Sequence, residues 1–209
     1  MFFFDSGGKE TRIKTKFQKF FSCFLLSSLL LLKFTAMQTP IIIRKASEAD
    51  LPAILDIYNH VIINTTAVYS DHPHTLKMRQ DWYNDRINNN FPVFIADANG
   101  EVAGFATFGH FRVWPCYRYT VELSVYVAIG HRGKGISKML LQALIDRAGE
   151  MNIHVMIAGI SADNDISIAL HQSFDFVEVA NFKEVGYKFG RWLDLKFLQL
   201  VLPNTPKAI

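Results

Sequence analysis

An α/β domain around a mixed sheet is the fold class this sequence predicts. Three observations carry it. From residue 41 onward, stretches with period-two alternation and stretches with helical periodicity follow in the order β-α-α-β-β-β-α-β-α-β-β. Asn99-Gly100 separates two strand-like runs and signals a hairpin, because both positions tolerate positive φ. Finally, Arg132-Gly-Lys-Gly-Ile-Ser137 puts two glycines where a strand-like run passes into a helical one.

Taken in order, 41–45 reads as a short strand. Ser47 is a good N-cap, and Asp50 three residues on makes a variant of the capping box. Leu51, Ile54, Leu55 and Tyr58 then recur at helical spacing and are expected to form the buried stripe of a first helix. Residues 64–75 are polar and irregular. A second helix over 76–88 carries Trp82, Tyr83 and Ile87. Strands are expected at 92–97 and 102–109, joined by the hairpin turn, then an aromatic loop at 111–118 and a long central strand at 119–128. Ile136, Leu140, Leu144 and Ala148 stand four apart in a helix over 134–151. A buried strand at 155–160, a helix at 166–174 and strands at 176–180 and 192–202 complete the domain.

Composition sets bounds on function. The 209 residues are 50% apolar and 20% charged, with a net charge of +3, which is ordinary globular composition. No long basic run occurs in the body of the chain, which argues against nucleic acid as a partner. Cys23 and Cys116 form no motif, so a reducing compartment is the simple reading. His72 and His74 lie in a polar stretch without a neighbouring Cys or acidic cluster, so no metal site is expected.

The chemistry concentrates in Glu122-Leu-Ser-Val-Tyr-Val-Ala-Ile-Gly-His-Arg-Gly-Lys-Gly-Ile-Ser137. Glycines at a strand-to-helix junction let the backbone turn tightly and present its N–H groups. The helix start adds free donors and partial positive charge, which together cradle a pyrophosphate. Arg132, Lys134 and Lys138 supply cations for a polyphosphate ligand. The segment is neither a Walker loop nor a dinucleotide fingerprint.

It resembles the pattern Gln/Arg-x-x-Gly-x-Gly/Ala of the GNAT N-acetyltransferase superfamily, with the small Ser137 in place of the final Gly or Ala. The resemblance implies a central, mostly antiparallel twisted sheet with splayed central strands, and acetyl-CoA as co-substrate with no metal. It places cofactor contacts on Val125, Tyr126, Val127, Arg132, Gly133, Lys134, Gly135, Ile136, Ser137, Lys138 and Asn164; Asn164 also reads as a helix N-cap. The superfamily's usual Gly-Phe after the next helix is here Asp175-Phe176, a mild departure because Asp tolerates left-handed geometry.

Over residues 37–202 the chain is closer to the phosphinothricin and methionine sulfoximine/sulfone N-acetyltransferases. The stretches that carry this are Tyr58-Asn-His-Val-Ile-Ile-Asn-Thr-Thr-Ala-Val-Tyr69, Phe111-Arg-Val-Trp114, Tyr119-Thr-Val-Glu-Leu-Ser-Val-Tyr-Val127, Asn164-Asp-Ile-Ser-Ile-Ala-Leu-His171 and Gly186-Tyr-Lys-Phe-Gly-Arg-Trp-Leu-Asp194. The implied substrate is a small amino acid resembling a tetrahedral glutamine analogue, acetylated on its α-amine. That amine must lose a proton before it attacks. The resemblance puts the catalytic carboxylate at Glu122; the plain alternative is an ordinary exposed strand glutamate. His171 is implied as an assisting acid/base or orienting residue, and a hydrogen-bonded core histidine reads it equally well. Substrate contacts fall on Arg112, Val113, Trp114, Glu122, Leu123 and Ser124. Arg112 suits a substrate carboxylate, with Arg118 in reserve. Trp114 would wall the pocket or pack on the core, and Tyr69 and Tyr187 are further lining candidates. Val113 and Pro115 depart from the commonest form of this loop, leaving substrate size open. Relatives of this kind imply a homodimer. The competing readings are a GNAT acting on a polyamine or protein N-terminus, and a non-catalytic acetyl-CoA-binding regulator.

Residues 1–36 stand apart. A basic stretch at 9–19 precedes an apolar run at 20–32 that resembles a signal peptide and is short for a membrane span. Met37 directly precedes the first strand, and acetyl-CoA is a cytosolic metabolite. A misassigned start is therefore expected, with a signal or anchor as the alternative, and the domain at 37–209 is expected to be cytoplasmic with no membrane role.

Overall fold

The computed structural model describes residues 40–203; the readings of residues 1–36 lie outside them. The elements are β1 (Ile41–Lys45), α1 (Leu51–Asn64), α2 (Leu76–Asn88), β2 (Val93–Ala98), β3 (Glu101–His110), β4 (Thr120–Val127), α3 (Ile136–Glu150), β5 (Val155–Ser161), α4 (Asp165–Gln172), β6 (Val177–Lys188) and β7 (Arg191–Val201). One seven-stranded sheet has the order β1-β2-β3-β4-β5-β7-β6. β4–β5 is its parallel pair and the others are antiparallel, as expected for a mixed, mostly antiparallel sheet.

Successive residues of each strand face opposite sides of the sheet, and the helices cover both. Ile136, Leu140, Leu144 and Ala148 of α3 are at most 1% exposed and pack with Phe108, Val121, Met156 and Leu198. On the other side Ile54 and Ile57 of α1 meet Ile95 and Phe105, flanked by Trp82 and Tyr83 of α2. The stripe of α1 runs through Leu51, Ile54, Ile57, Val61 and Ile62. Leu55 and Tyr58, expected in it, are half-buried at its margin, and Ile87 is exposed. The Ser47–Asp50 box forms on a short 3-10 turn, with the Ser47 N–H donating to the Asp50 carboxylate at 2.7 Å. Arg44 of β1 holds the same carboxylate at 2.8 and 2.9 Å and pulls it down to a pKa of about 2, mainly through these hydrogen bonds.

Two expected boundaries move for stated reasons. The third helix starts at Ile136 rather than 134, because Gly133 and Gly135 hold φ of 76° and 78°, outside the helical region. β6 runs to Lys188 rather than ending near 180. Register shifts after Glu178 and Phe182, with Glu184 at φ 54°, break the alternation that would have revealed its length. Asn99 and Gly100 both have positive φ, as the hairpin requires, and Asp175 takes a left-handed φ of 63°.

Candidate functional site

The site is built where β4 and β5 part. They pair at Thr120–Val155, Val121–Met156 and Glu122–Ile157, and then stop. Beyond that rung β4 continues with β3 as far as Val127, and β5 continues with β7 as far as Ser161. The β4 backbone from Leu123 onward therefore faces a gap rather than a ladder partner, a polar strand edge available to a ligand. The gap holds a notch of about 70 Å³ bordered by Ser124, Tyr126, Gly159, Ser161 and His171. It adjoins a cleft of about 1020 Å³ that runs along Val125–Val127 to the glycine turn.

The expected cofactor residues assemble on that cleft. Val125, Tyr126, Val127, Arg132, Gly133, Gly135, Ile136, Ser137, Lys138 and Asn164 all line it. Lys134 does not; its ammonium lies 3.5 Å from His131 Nδ1. Gly135 is the N-cap of α3 and offers no side-chain cap, leaving first-turn N–H groups without an intrahelical acceptor. A Cβ built at Gly133 or Gly135 meets nothing within 4 Å, so the space over the turn is open. Open donors, a helix start and flanking cations fit a pyrophosphate. Asn164 caps α4 by accepting from the Ser167 N–H at 3.1 Å, as the N-cap reading expects, and also lines the cleft.

Glu122 occupies the last rung before the gap. Its carboxylate reaches across to β5, where Oε1 would lie 3.1 Å from a Cβ on Gly159, next to the Phe197 ring. Burial there raises its pKa above the ordinary glutamate value, and Arg112 opposes the rise. Glu122 is thus no ordinary exposed glutamate, and the loop cation chosen from sequence acts on it. His171 is 4% exposed and borders the notch. Its Nδ1 lies 2.8 Å from the Ser167 carbonyl. A carbonyl only accepts, so Nδ1 carries the proton and Nε2 is the free acceptor. Nε2 is buried and has no partner among the described residues, and burial lowers the pKa of the ring.

The substrate candidates separate. Ser124 follows Glu122 on the same face and borders the notch. Leu123 points to the opposite face, 5% exposed in the core, and borders the notch from there. Arg112 lies over the Phe111 ring at 4.1 Å. Val113 and Trp114 are 87% and 62% exposed, so Trp114 is not a core-packed aromatic. Arg118 lies over Tyr119. Tyr187 stacks edgewise with Trp192 and lines neither cavity.

Sequence reasoning missed part of the wall. Asn64, which ends α1, and residues 65–67 after it line the cleft, and Ala67 borders the notch too. Asp163 and Arg191, paired to each other, line it too, with Asp163 accepting from Thr66 at 3.0 Å. The advance signals were the polar irregularity of 64–75 and the family-like stretches 58–69 and 186–194, which contain all of these residues but Asp163. No group of His, Cys, Asp and Glu suited to a metal occurs among the described residues, and none of their helices is long and apolar enough to cross a membrane.

Residues 54–176 match the acetyltransferase (GNAT) family. The chain belongs to the GNAT family. A methionine sulfoximine/methionine sulfone acetyltransferase of Pseudomonas aeruginosa is 48% identical over 167 residues, covering 79% of this chain and 97% of that protein. An L-amino acid N-acyltransferase of Escherichia coli is 46% identical over 80% of this chain and 98% of its own length. A phosphinothricin acetyltransferase structure from Sinorhizobium meliloti in complex with acetyl-CoA superposes with a TM-score of 0.76 at 36% identity, over 78% of this chain and 88% of that one. This GNAT protein is therefore an acetyl-CoA-dependent N-acetyltransferase, with acetyl-CoA as co-substrate.

Proposed function

We propose that this enzyme transfers acetyl from acetyl-CoA to the α-amine of a small amino acid of the methionine sulfone, methionine sulfoximine or phosphinothricin type. The observation that carries the reading is a half-buried carboxylate, Glu122, on the last β4–β5 rung before the gap, beside which a cleft runs along β4 to the glycine turn. The glycine turn, Arg132 and Lys138 hold the pyrophosphate, and the open backbone of β4 lies along the pantetheine arm. Arg112 takes the substrate carboxylate, while Ser124 and the exposed Trp114 flank the amine side.

Transfer is direct. Glu122 accepts a proton from the substrate ammonium, the neutral nitrogen attacks the thioester carbon, and β4 N–H donors stabilise the oxyanion. The tetrahedral intermediate collapses with loss of the thiolate, which leaves with the second amine proton. His171 enters as an acceptor through Nε2 rather than as a resting proton donor, because its donor proton is committed to Ser167. A polyamine site would be acidic, whereas the loop beside Glu122 carries Arg112 and Arg118. Two copies are proposed to pair through β6, the edge strand, where Val177, Val179, Val185 and Tyr187 are all more than half exposed. A cytoplasmic setting accords with the co-substrate.

The test is CoA release across amino acids, including methionine sulfone and sulfoximine, with Glu122→Gln in parallel. Glu122→Gln lowers kcat by about 10²–10⁴-fold while calorimetry finds acetyl-CoA bound as in wild type. Undiminished turnover in that variant removes Glu122 from the mechanism, and absence of acetyl-CoA binding by the folded wild type removes the reading altogether.

A further inference from the structure

Lys188 of β6 is 4% exposed. Its ammonium donates to three main-chain carbonyls, those of Ile62 at 2.6 Å, Thr65 at 2.9 Å and Val68 at 2.7 Å. An ammonium has three protons to give, so all are spent on this one segment of backbone. The carbonyls belong to the last turn of α1 and the residues after it, where a helix leaves acceptors unpaired and favours a cation. Two residues earlier, Gly186 makes room for Tyr69: a Cβ there would stand 2.4 Å from Cδ2 of the ring. The Tyr69 hydroxyl donates to the Asp194 carbonyl at 2.9 Å and lies 3.2 Å from Ser161 Oγ. Thr66 donates to Asp163 at 3.0 Å.

Residues 65–69 have no helix or strand to hold them, yet Thr65, Thr66 and Ala67 among them wall the cleft, and Ala67 borders the notch as well. Their shape comes from side chains more than ninety residues away. We propose that Lys188 is a positioning residue for acetyl transfer, fixing the 65–68 backbone as the wall that aligns acetyl group and amine, with Gly186 kept small to seat Tyr69. This rests on the acetyltransferase reading of the site. A helix cap with no part in catalysis would lower stability and leave the kinetic constants alone.

The experiment compares wild type, Lys188→Met, which keeps the stem and loses the donors, and Tyr69→Phe, a milder change. Hydrogen exchange of amides 63–69 is measured by mass spectrometry in the unliganded proteins, alongside kcat and KM for methionine sulfone and calorimetry with CoA. In Lys188→Met, exchange over 63–69 quickens while that of α3 does not. Its kcat/KM for the amine falls by on the order of 10²-fold, as for a misplaced site, while CoA affinity, which the glycine turn also supports, falls by much less. Tyr69→Phe moves in the same direction by less. Unchanged exchange in Lys188→Met overturns the clamp, and faster exchange with wild-type kcat/KM overturns the catalytic part. If Lys188→Met does not fold, Tyr69→Phe decides, and wild-type exchange and kinetics there overturn the proposal. A wild type that binds CoA but turns over no amine refutes the acetyltransferase reading and this catalytic role with it, while the exchange comparison still judges the clamp.

Discussion

Glu122 is held in tension between two neighbours. The apolar wall of Phe197 and Gly159 raises its proton affinity, and Arg112 lowers it. A base works only when deprotonated, so the acid limb of kcat/KM against pH lies above the ordinary glutamate value. Arg112→Ala removes the opposing cation, and the limb moves to still higher pH. The same variant raises the amine KM by on the order of tenfold or more if Arg112 grips the substrate carboxylate; a limb that stays put in the pH-rate profile disconnects the two residues. The shift has a stability side as well. A carboxyl whose folded pKa exceeds its unfolded one costs stability as pH rises from the unfolded value, and the cost is complete once pH passes the folded one. Glu122→Gln escapes it and is expected to melt at a higher temperature than wild type at pH 7, a trade of activity for stability.

The glycine turn tests the logic of elements. Gly135 has φ of 78° and open space where a Cβ would go, and Gly100 in the β2–β3 hairpin has φ of 89° and equally open space. Either one changed to Ala carries left-handed strain of ~1–2 kcal/mol, read as a lower melting temperature. Gly135→Ala alone also weakens acetyl-CoA binding in calorimetry, because its methyl stands where phosphates approach. Equal affinities in the two variants would leave the turn with a purely structural task. This turn was legible in the sequence because all its information is local: two glycines, a helix period of four, and a strand before them. The length of β6 was not, since its bulges break the period-two pattern. Nor was the wall at 65–67, where the Thr65 carbonyl accepts from Lys188, 123 positions away. The tautomer of His171 was equally invisible, as it follows from the Ser167 carbonyl and needs coordinates to assign.

For the molecule as a whole, the exposed apolar edge at β6 predicts self-association. Sedimentation should find a dimer, and a Val179→Glu, Val185→Glu double variant should sediment as a monomer with its near-ultraviolet circular dichroism preserved; a monomeric wild type refutes pairing there. The same large-scale view gives the parting of β4 and β5 a mechanical meaning. The sheet is a fork whose prongs, β1–β4 on one side and β5–β7 on the other, are joined along the ladder at three rungs. Glu122 stands at the crotch of that fork, where flexing of either prong displaces it least. Reagents of differing bulk can then be admitted by movement of the tips while the proposed proton acceptor keeps its place, so that tolerance of substrate shape and constancy of the chemistry reside at opposite ends of one lever.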